Sequence, residues 1–403
     1  MKRVIFHVDV NSAFLSWSAV NEVKKGGDDL RLVASVVSGS PEKRTSVVLA
    51  KSIPAKAYKI NTGEPISMAL RKCPSLKITP PDFSLYSEYS KAFKDICRQY
   101  SPSVEEFSID ECFLDMSGME HLYPDIIKTA YELKDRIKNE LGFTVNVGVG
   151  INKLLAKMAS DFEKPDKVHT LFDDEIEEKM WPLPVRDLLF LGKASAQKLE
   201  SLYIRTIGDL AHSDINVIKS MLGNKAGEQM HSFANGIDNS PVESKQRQVK
   251  SYGHSITVDE DVTDFASADR LLLALSDAAA SRMRADGARA YNVCVTIRDN
   301  HFKTKTHQRQ SEFPTDITKD IYDVSKELLR EAWNGKSPLR LIGVSLGDIT
   351  KESGEQLSLF GSNNDELDKK RNLDAAVDSI RNKFGDSKIL LGSTINTRRP
   401  KKK

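Results

Sequence analysis

Residues Val4 to Val10 form a largely apolar, β-branched run interrupted by Asp9 at its end, the pattern of a buried strand. A helix is expected from about Ser12, followed by an irregular stretch rich in turn formers as far as about Pro81. Tyr89, Phe93, Ile96, Cys97 and Tyr100 then recur at helical spacing within Tyr86 to Tyr100. Val104 to Ser117 reads as two short strands around a polar break at Asp110-Glu111. A second amphipathic helix carries Ile126, Ala130, Leu133, Ile137 and Leu141 and stops at Gly142. Phe143 to Ile151 alternates as a strand does. Strand, helix, hairpin, helix, strand is the split βαβ order of ferredoxin-like domains, with helices on one face of an antiparallel sheet.

After Pro165 the texture changes. Pro182 and Pro184 punctuate a region of short helices up to about Asn239, and a polar, basic run through Lys250 reads as a linker. A second strand-and-helix set follows. It has a strand near Ser251–Val258, a helix holding Leu271, Leu275, Ala279 and Met283, strands near Asn292–Arg298 and Lys303–Phe313, a helix from Ile321 to Trp333, and a strand from Leu339 to Leu346. Beyond Ser353 the chain is polar and expected to be disordered, apart from Leu357–Phe360 and the helically spaced Leu373, Val377, Ile380 and Phe384.

A chain of 403 residues is too long for one ordinary core, so two to four domains are expected. The 59 Lys and Arg nearly balance 57 Asp and Glu, so any nucleic-acid surface must be local rather than global. Four cysteines (Cys73, Cys97, Cys112, Cys294) lie far apart without a CxxC pair. That spacing argues against a zinc site or a disulfide framework and suits a reducing cytosol. No signal-peptide pattern and no apolar run of ~20 residues is present, so a soluble, cytoplasmic protein is expected.

Three carboxylates stand where buried structure should not want them: Asp9 at a strand end, and Asp110 and Glu111 at a strand turn of the same expected sheet. Neighbouring strands are about 4.8 Å apart, so such carboxylates can converge. Their mutual repulsion calls for a hard cation, and Mg²⁺ prefers oxygen ligands and substrate phosphates. Two ions about 3.5–4 Å apart can activate an attacking hydroxyl and stabilise a leaving pyrophosphate. On pattern alone, a polar hairpin turn at Asp110-Glu111 accounts for the residues equally well, and Asp115 reads as structural.

The strings Phe6-His7-Val8-Asp9 and Ser108-Ile109-Asp110-Glu111, the latter preceded by Val104-Glu105-Glu106-Phe107, resemble the palm signature of the Y-family translesion DNA polymerases, in the same order and from residue 1 to about 360. The resemblance implies an α+β right hand. Its parts are a ferredoxin-like palm (1–17 and 78–166), small fingers (18–77), a helix-hairpin-helix thumb (167–238), a linker (239–250), an α+β little finger (251–350) and a flexible tail (351–403). It makes Asp9, Asp110, Glu111 and the Val10 carbonyl the ligands of two Mg²⁺ ions, with Asp9, Asp110 and Glu111 catalytic. Phe14, otherwise an ordinary core aromatic, becomes a steric gate against a ribose 2′-hydroxyl. Val47 to Lys56 matches the fingers segment, where Leu49 roofs the nascent base pair. Ile53 stands in place of the usual tyrosine at the triphosphate and Lys56 in place of the usual arginine, which leaves a point charge but no bidentate fork. Lys164, in Ala159 to Pro165, matches a triphosphate-holding lysine.

Pro184 to Lys193 resembles a helix-hairpin-helix turn whose Gly192 and Lys193 grip a phosphate, with Ala194 where a second glycine is usual. Arg298, His301, Lys303, Lys305, His307 and Arg309 alternate as a basic strand face suited to duplex phosphates, or as a charged edge strand. Gln356, Leu357, Leu359 and Phe360 resemble the peptide by which bacterial polymerases dock on the sliding clamp. The implied enzyme is a monomer that copies primer-template DNA with deoxynucleoside triphosphates at low fidelity and without a proofreading exonuclease. A non-catalytic DNA- and clamp-binding scaffold and a nucleotide cyclase are the rival classes. The thumb-like and clamp-like motifs speak against a cyclase.

Overall fold

The computed structural model describes residues 3–245, 248–351, 364–385, 388–390 and 392. The chain divides into two compact units, Met1–Gln246 and Arg247–Lys403.

In the first unit the elements run β1 (Ile5–Val10), α1 (Ala13–Lys24), β2 (Ser35–Ser38), β3 (Val48–Lys51), α2 (Ile53–Ala57), α3 (Ile66–Lys72), β4 (Lys77–Thr79), α4 (Phe83–Arg98), β5 (Val104–Glu106) and β6 (Glu111–Asp115). They continue α5 (Ile126–Leu141), β7 (Val145–Gly150), α6 (Lys153–Asp161), β8 (Val168–Leu171), α7 (Lys193–Glu200), α8 (Ile207–Ala211), α9 (Ile215–Leu222) and α10 (Asn224–Ala234). Helix α5 spans the expected residues. Asp125 caps its first turn by accepting from Lys128 N–H, and Gly142 ends it at φ 81°, a conformation costly for a residue with a Cβ.

The palm sheet has the order β5-β6-β1-β7-β8, and β8 pairs parallel to β7, so it is a mixed five-stranded sheet rather than a purely antiparallel one. Helices also cover both of its faces. Phe6, Val8, Val10, Val145, Val147 and Val149 point into a core with α4 and α5, while α6 lies against the opposite face. Gly148 and Gly150 permit that second layer, because a Cβ on Gly148 would sit 1.9 Å from the Ala156 carbonyl oxygen. The expectation of helices on one face fails because two glycines in a strand read as gaps in an alternation, not as a seat for a helix.

Nor is the stretch before Pro81 irregular. It holds a three-stranded sheet, β3-β2-β4, packed with α2 and α3 around Val36, Val48, Ile60, Ile66 and Leu76. Strands of three or four residues leave too little periodicity to be seen in sequence. Since β4 pairs with β2, this sheet runs two residues into the expected palm, which begins at 78. The four short helices α7–α10 gather around Leu188, Leu199, Ile207, Leu210, Ile218 and Phe233.

The second unit comprises β9 (Ser251–Val262), α11 (Phe265–Ala285), β10 (Arg289–Asp299), β11 (Thr304–Thr315), α12 (Thr318–Ala332), β12 (Leu339–Thr350) and α13 (Asn364–Phe384), with sheet order β11-β10-β12-β9. Helices α11 and α12 pack on the face that carries Val293, Val295, Ile297, Ile342 and Val344. Helix α13 lies within the expected flexible tail but is docked. Arg381 makes a buried bidentate pair with Asp277 of α11 (2.9 and 2.9 Å), and Arg284 pairs with Asp374 and Asp378. Its polar face is the docked one, whereas Leu373, Ile380 and Phe384 are exposed, so the apolar spacing in sequence does not mark the contact.

Two outcomes follow from this packing. Gly148→Ala is expected to cost about 3 kcal/mol or more, read by chemical unfolding, because the clash is with backbone. Arg381→Ala removes the bidentate contact to Asp277 and is expected to release α13, read as loss of hydrogen-exchange protection over residues 364–384, with the β9–β12 sheet still protected.

Candidate active site

The β1–β6 pairing sets the geometry of the site. Asp9 lies directly opposite Glu111 across the two strands, and Val10 N–H donates to the Asp110 carbonyl (3.0 Å). The turn carrying Asp110 is held from α4. Lys94 Nζ donates to the Ser108 carbonyl (2.7 Å), Ser90 Oγ to the Ile109 carbonyl, and Ser108 Oγ to Asp110 Oδ1 (2.6 Å) and Glu111 Oε2 (3.2 Å). Asp115 instead receives the Ser117 N–H (3.0 Å) and belongs to the strand end.

Two lysines face the carboxylates. Lys164 Nζ bonds Asp9 Oδ2 and also reaches Asp161 (2.7 Å), and Lys157 Nζ bonds Glu111 Oε1. Burial pushes the Asp9 carboxyl up to about 6, against the pull of Lys164. Burial also works against the Lys164 ammonium, but Asp9 and Asp161 outweigh it and raise its pKa. His7, fully buried on the same strand, is held well below the usual imidazole range by burial and then by Lys157 and Lys164, and is therefore neutral.

A cavity of about 690 Å³ opens on Asp9, Val10 and Asp110 and is lined further by Phe14, Leu49, Ile53, Lys56 and Lys164. The site residues expected from sequence in the palm and fingers thus share one space, with Glu111 beside it, opposite Asp9. The Phe14 ring stacks on Tyr86 (centroids 4.6 Å, 11°) and meets Phe83 edge-on (6.1 Å), so it is a packed aromatic and a cavity wall at once. Ile53 is 55% exposed at the start of α2, and Lys56 projects into solvent one turn on.

The donor set suits a hard divalent cation, because it offers carboxylate oxygens beside a backbone carbonyl at Val10. As the side chains stand, no three His, Cys, Asp or Glu groups among the described residues converge on one ion position. Lys164 and Lys157 each engage one of these carboxylates.

Several supporting residues carried no sequence signal beyond being polar inside or beside a strand. Asn146 Nδ2 donates to the carbonyls of Ser160 (3.0 Å) and Glu163 (2.6 Å), and Asn11 Oδ1 accepts from Asp166 N–H (3.0 Å). With the Asn11–Asn146 amide pair (3.0 Å), they fix the segment that delivers Lys164. Arg31, chelated by Asp29, donates to the Gly142 carbonyl (2.7 Å) and lines the same cavity.

Outside this cavity the expected contacts divide. Gly192 and Lys193 stand exposed at the N-terminus of α7, where backbone N–H groups are free to meet a phosphate. The basic alternation on β11 needs correction. Lys305, His307 and Arg309 pair in register with Ile297, Val295 and Val293, so they lie on the helix-covered side. There Arg309 is bound by Glu327 and Glu331 (2.5 Å to the latter) and Lys305 reaches the Ala332 carbonyl (3.4 Å). Since β11 is an edge strand, the charged-edge reading describes these three residues. His301 and Lys303 sit in the β10–β11 turn, where their N–H groups donate to Asp299 (both 2.9 Å). Arg298 is on the open face beside Thr304 (2.9 Å). Gln356, Leu357, Leu359 and Phe360 lie outside the described residues.

Comparison with known proteins agrees with this geometry. Residues 8–161 match the impB/mucB/samB family, residues 249–359 the C-terminal domain of that family, and residues 187–238 the DNA polymerase-iota thumb domain. The chain is 42% identical over 397 residues to a DNA polymerase IV of Clostridium acetobutylicum, covering 97% of this chain and 98% of that protein. It is 37% identical over 401 residues to a DNA polymerase IV of Acetivibrio thermocellus, covering 99% of each. A Y-family DNA polymerase chimera shares the fold at a TM-score of 0.77 and 22% identity, over 87% of this chain and 100% of that one. With a carboxylate-lined palm cavity, family matches on both units and relatives similar from end to end, the chain belongs to the impB/mucB/samB family, as a Y-family DNA-directed DNA polymerase of the DNA polymerase IV type.

Proposed function

We propose that this polymerase carries out low-fidelity translesion synthesis, joining a primer 3′-hydroxyl to the α-phosphate of a deoxynucleoside triphosphate at the Asp9–Asp110–Glu111 site. The observation that carries this reading is the opposition of Asp9 and Glu111 at the mouth of a cavity that also holds Phe14, Leu49 and Lys164. Asp9, Asp110, Glu111 and the Val10 carbonyl would hold two Mg²⁺ ions, which supply Lewis-acid activation of the hydroxyl and charge neutralisation at the phosphates.

The remaining work falls to the chain itself. Lys164, already bonded to Asp9, is placed to take triphosphate oxygens once a cation holds the carboxylate. Lys56 adds a second positive charge from the fingers, as a point charge rather than a planar fork. Phe14, braced by Tyr86 and Phe83, presents a rigid ring that excludes a 2′-hydroxyl. Leu49 covers the base pair. Synthesis proceeds without a proofreading exonuclease. Gly192 and Lys193 at the start of α7, together with Arg298 and Lys303, grip DNA phosphates without sequence preference. The Gln356–Phe360 segment docks the enzyme on the sliding clamp. The protein acts as a cytoplasmic monomer, and no helix among the described residues is long and apolar enough to cross a membrane.

Primer extension with Mg²⁺ and four deoxynucleotides tests the assignment on an undamaged template and on one carrying an abasic site or a minor-groove guanine adduct. Asp110→Ala is expected to lower turnover by about 10²–10³-fold or more. Retained extension in that variant sinks the site, and tight DNA binding with no incorporation by the unaltered protein supports the scaffold reading. In the same assay Phe14→Ala is expected to raise ribonucleotide over deoxynucleotide incorporation by about 100-fold. Unchanged sugar discrimination removes the gate.

A further inference from the structure

Phe190 holds a costly backbone conformation without the burial that would offset it. It is the third residue of a turn closed by Leu191 N–H to the Leu188 carbonyl (3.1 Å), and its φ is 65°. Glycine is the unstrained residue at such a position, and a bulky side chain there is an outlier. Leu188 and Leu191 fill the core of α7–α10, but the Phe190 side chain between them stays 62% exposed. Packing inside the protein therefore does not account for a phenylalanine here, and strained positions of this kind gather where a ligand is held.

The ring nevertheless has a defined place. It lies between Phe233 of α10 (centroids 6.3 Å) and Phe107 of the palm (6.4 Å). Phe107 is itself 37% exposed and belongs to the catalytic turn: its N–H donates to the Glu111 carbonyl (3.1 Å), and its ring meets Phe113 edge-on (5.3 Å). Lys157, which bonds Glu111, stands over the Phe107 ring at 5.5 Å. Two residues beyond Phe190, Gly192 opens α7, where the proposed phosphate grip lies. The two exposed rings thus link that grip to the catalytic carboxylates. A strand with its 3′-hydroxyl at Glu111 and an upstream phosphate at α7 passes over them. An aromatic ring offers no hydrogen bond to a phosphate, and the bases of a duplex turn inward. What remains to meet the rings is the apolar C–H edge of deoxyribose.

We propose that Phe190 and Phe107 form an apolar rest for the deoxyribose of the primer's terminal nucleotides, holding the 3′ end beside Glu111. The inference rests on the reading of Asp9, Asp110 and Glu111 as the site of primer extension. Such a contact is blind to base sequence and releases no counterions, unlike the phosphate contacts of Gly192 and Lys193.

Phe190→Gly separates contact from fold, because it removes the ring and relieves the backbone at once. Its unfolding midpoint in denaturant is expected to match or exceed that of the unaltered protein. Its Kd for a labelled primer-template, read by fluorescence anisotropy, is expected to rise about tenfold. Affinity for the template strand alone should change by less than about threefold, and the slope of log Kd against log salt should stay the same. Lys193→Ala is the contrast, expected to reduce that slope by about one. Phe190→Tyr keeps the ring and should bind primer-template within about threefold of the unaltered protein. Unchanged primer-template affinity in Phe190→Gly overturns the proposal, and with a lowered midpoint it leaves Phe190 a clasp between thumb and palm. An equal loss on the single strand also overturns it, as does a reduced salt slope, which marks a disturbed phosphate grip. Should Phe190→Gly not fold, Phe107→Leu decides: weaker primer-template binding at an unchanged slope is expected, and unaltered binding contradicts the rest. Asp110→Ala keeps the two readings apart. Activity in that variant fails the catalytic site, whereas its inactivity beside unimpaired DNA binding in Phe190→Gly condemns this inference alone.

Discussion

Everything in the catalytic unit turns on one cross-strand pair, Asp9 against Glu111, held by the antiparallel register of β1 and β6. Two carboxylates at that separation repel, and water cannot screen them well where Asp9 is 7% exposed. The protein meets the charge with Lys164 and Lys157, which arrive from α6 and the segment after it, on the face of the sheet that a split βαβ fold leaves open. Gly148 and Gly150 therefore matter to chemistry as well as packing, because without them α6 could not lie close enough to deliver either lysine.

Rigidity around this centre comes from polar groups that serve one another. Lys94 and Ser90 on α4 hold the turn before Glu111, and Asn11 and Asn146 hold the loop after α6. Each satisfies a buried backbone group that the strands cannot, so the site costs little in unmade hydrogen bonds. Among the described residues Nε2 of His7, beside Glu111, and Nε1 of Trp17, beside Phe14, are buried without a hydrogen-bond partner. Stacking shapes part of the cavity wall: Phe14 is braced by Tyr86 and Phe83. At the fingers the wall is less defined, with an exposed isoleucine and a mobile-headed lysine where a ring and a fork would give tighter geometry.

The second unit uses charge differently. Its edge strand sets Arg309 against Glu327 and Glu331, and α13 docks through Arg381–Asp277 and Arg284 with two aspartates. A helix seated by ion pairs gains little net energy from them, but the bidentate Arg381–Asp277 geometry favours one orientation. The open side of the same sheet keeps Arg298 beside threonine hydroxyls, a surface that a phosphate backbone can approach closely.

The sequence alone determined the polymerase class, the three neighbouring carboxylates and the order of palm elements. These follow from local regularities: a charge at the end of an apolar strand, a helical period, a turn, a short string of residues with its fixed neighbours. What it could not show depends on which residues face one another across long separations. The alternation on β11 was legible, but whether that face met helix or solvent was settled by the register with β10. The apolar period of α13 was legible too, yet the helix docked by its charges because the surface offered to it is polar. His7, Asn146 and Lys157 read as unremarkable until the fold brought them to Ser160, Ser160 and Glu111, at sequence separations of 153, 14 and 46. Tertiary structure decided these roles because a hydrogen bond or ion pair depends on distance in space, which one-dimensional periodicity records only for neighbours on the same element.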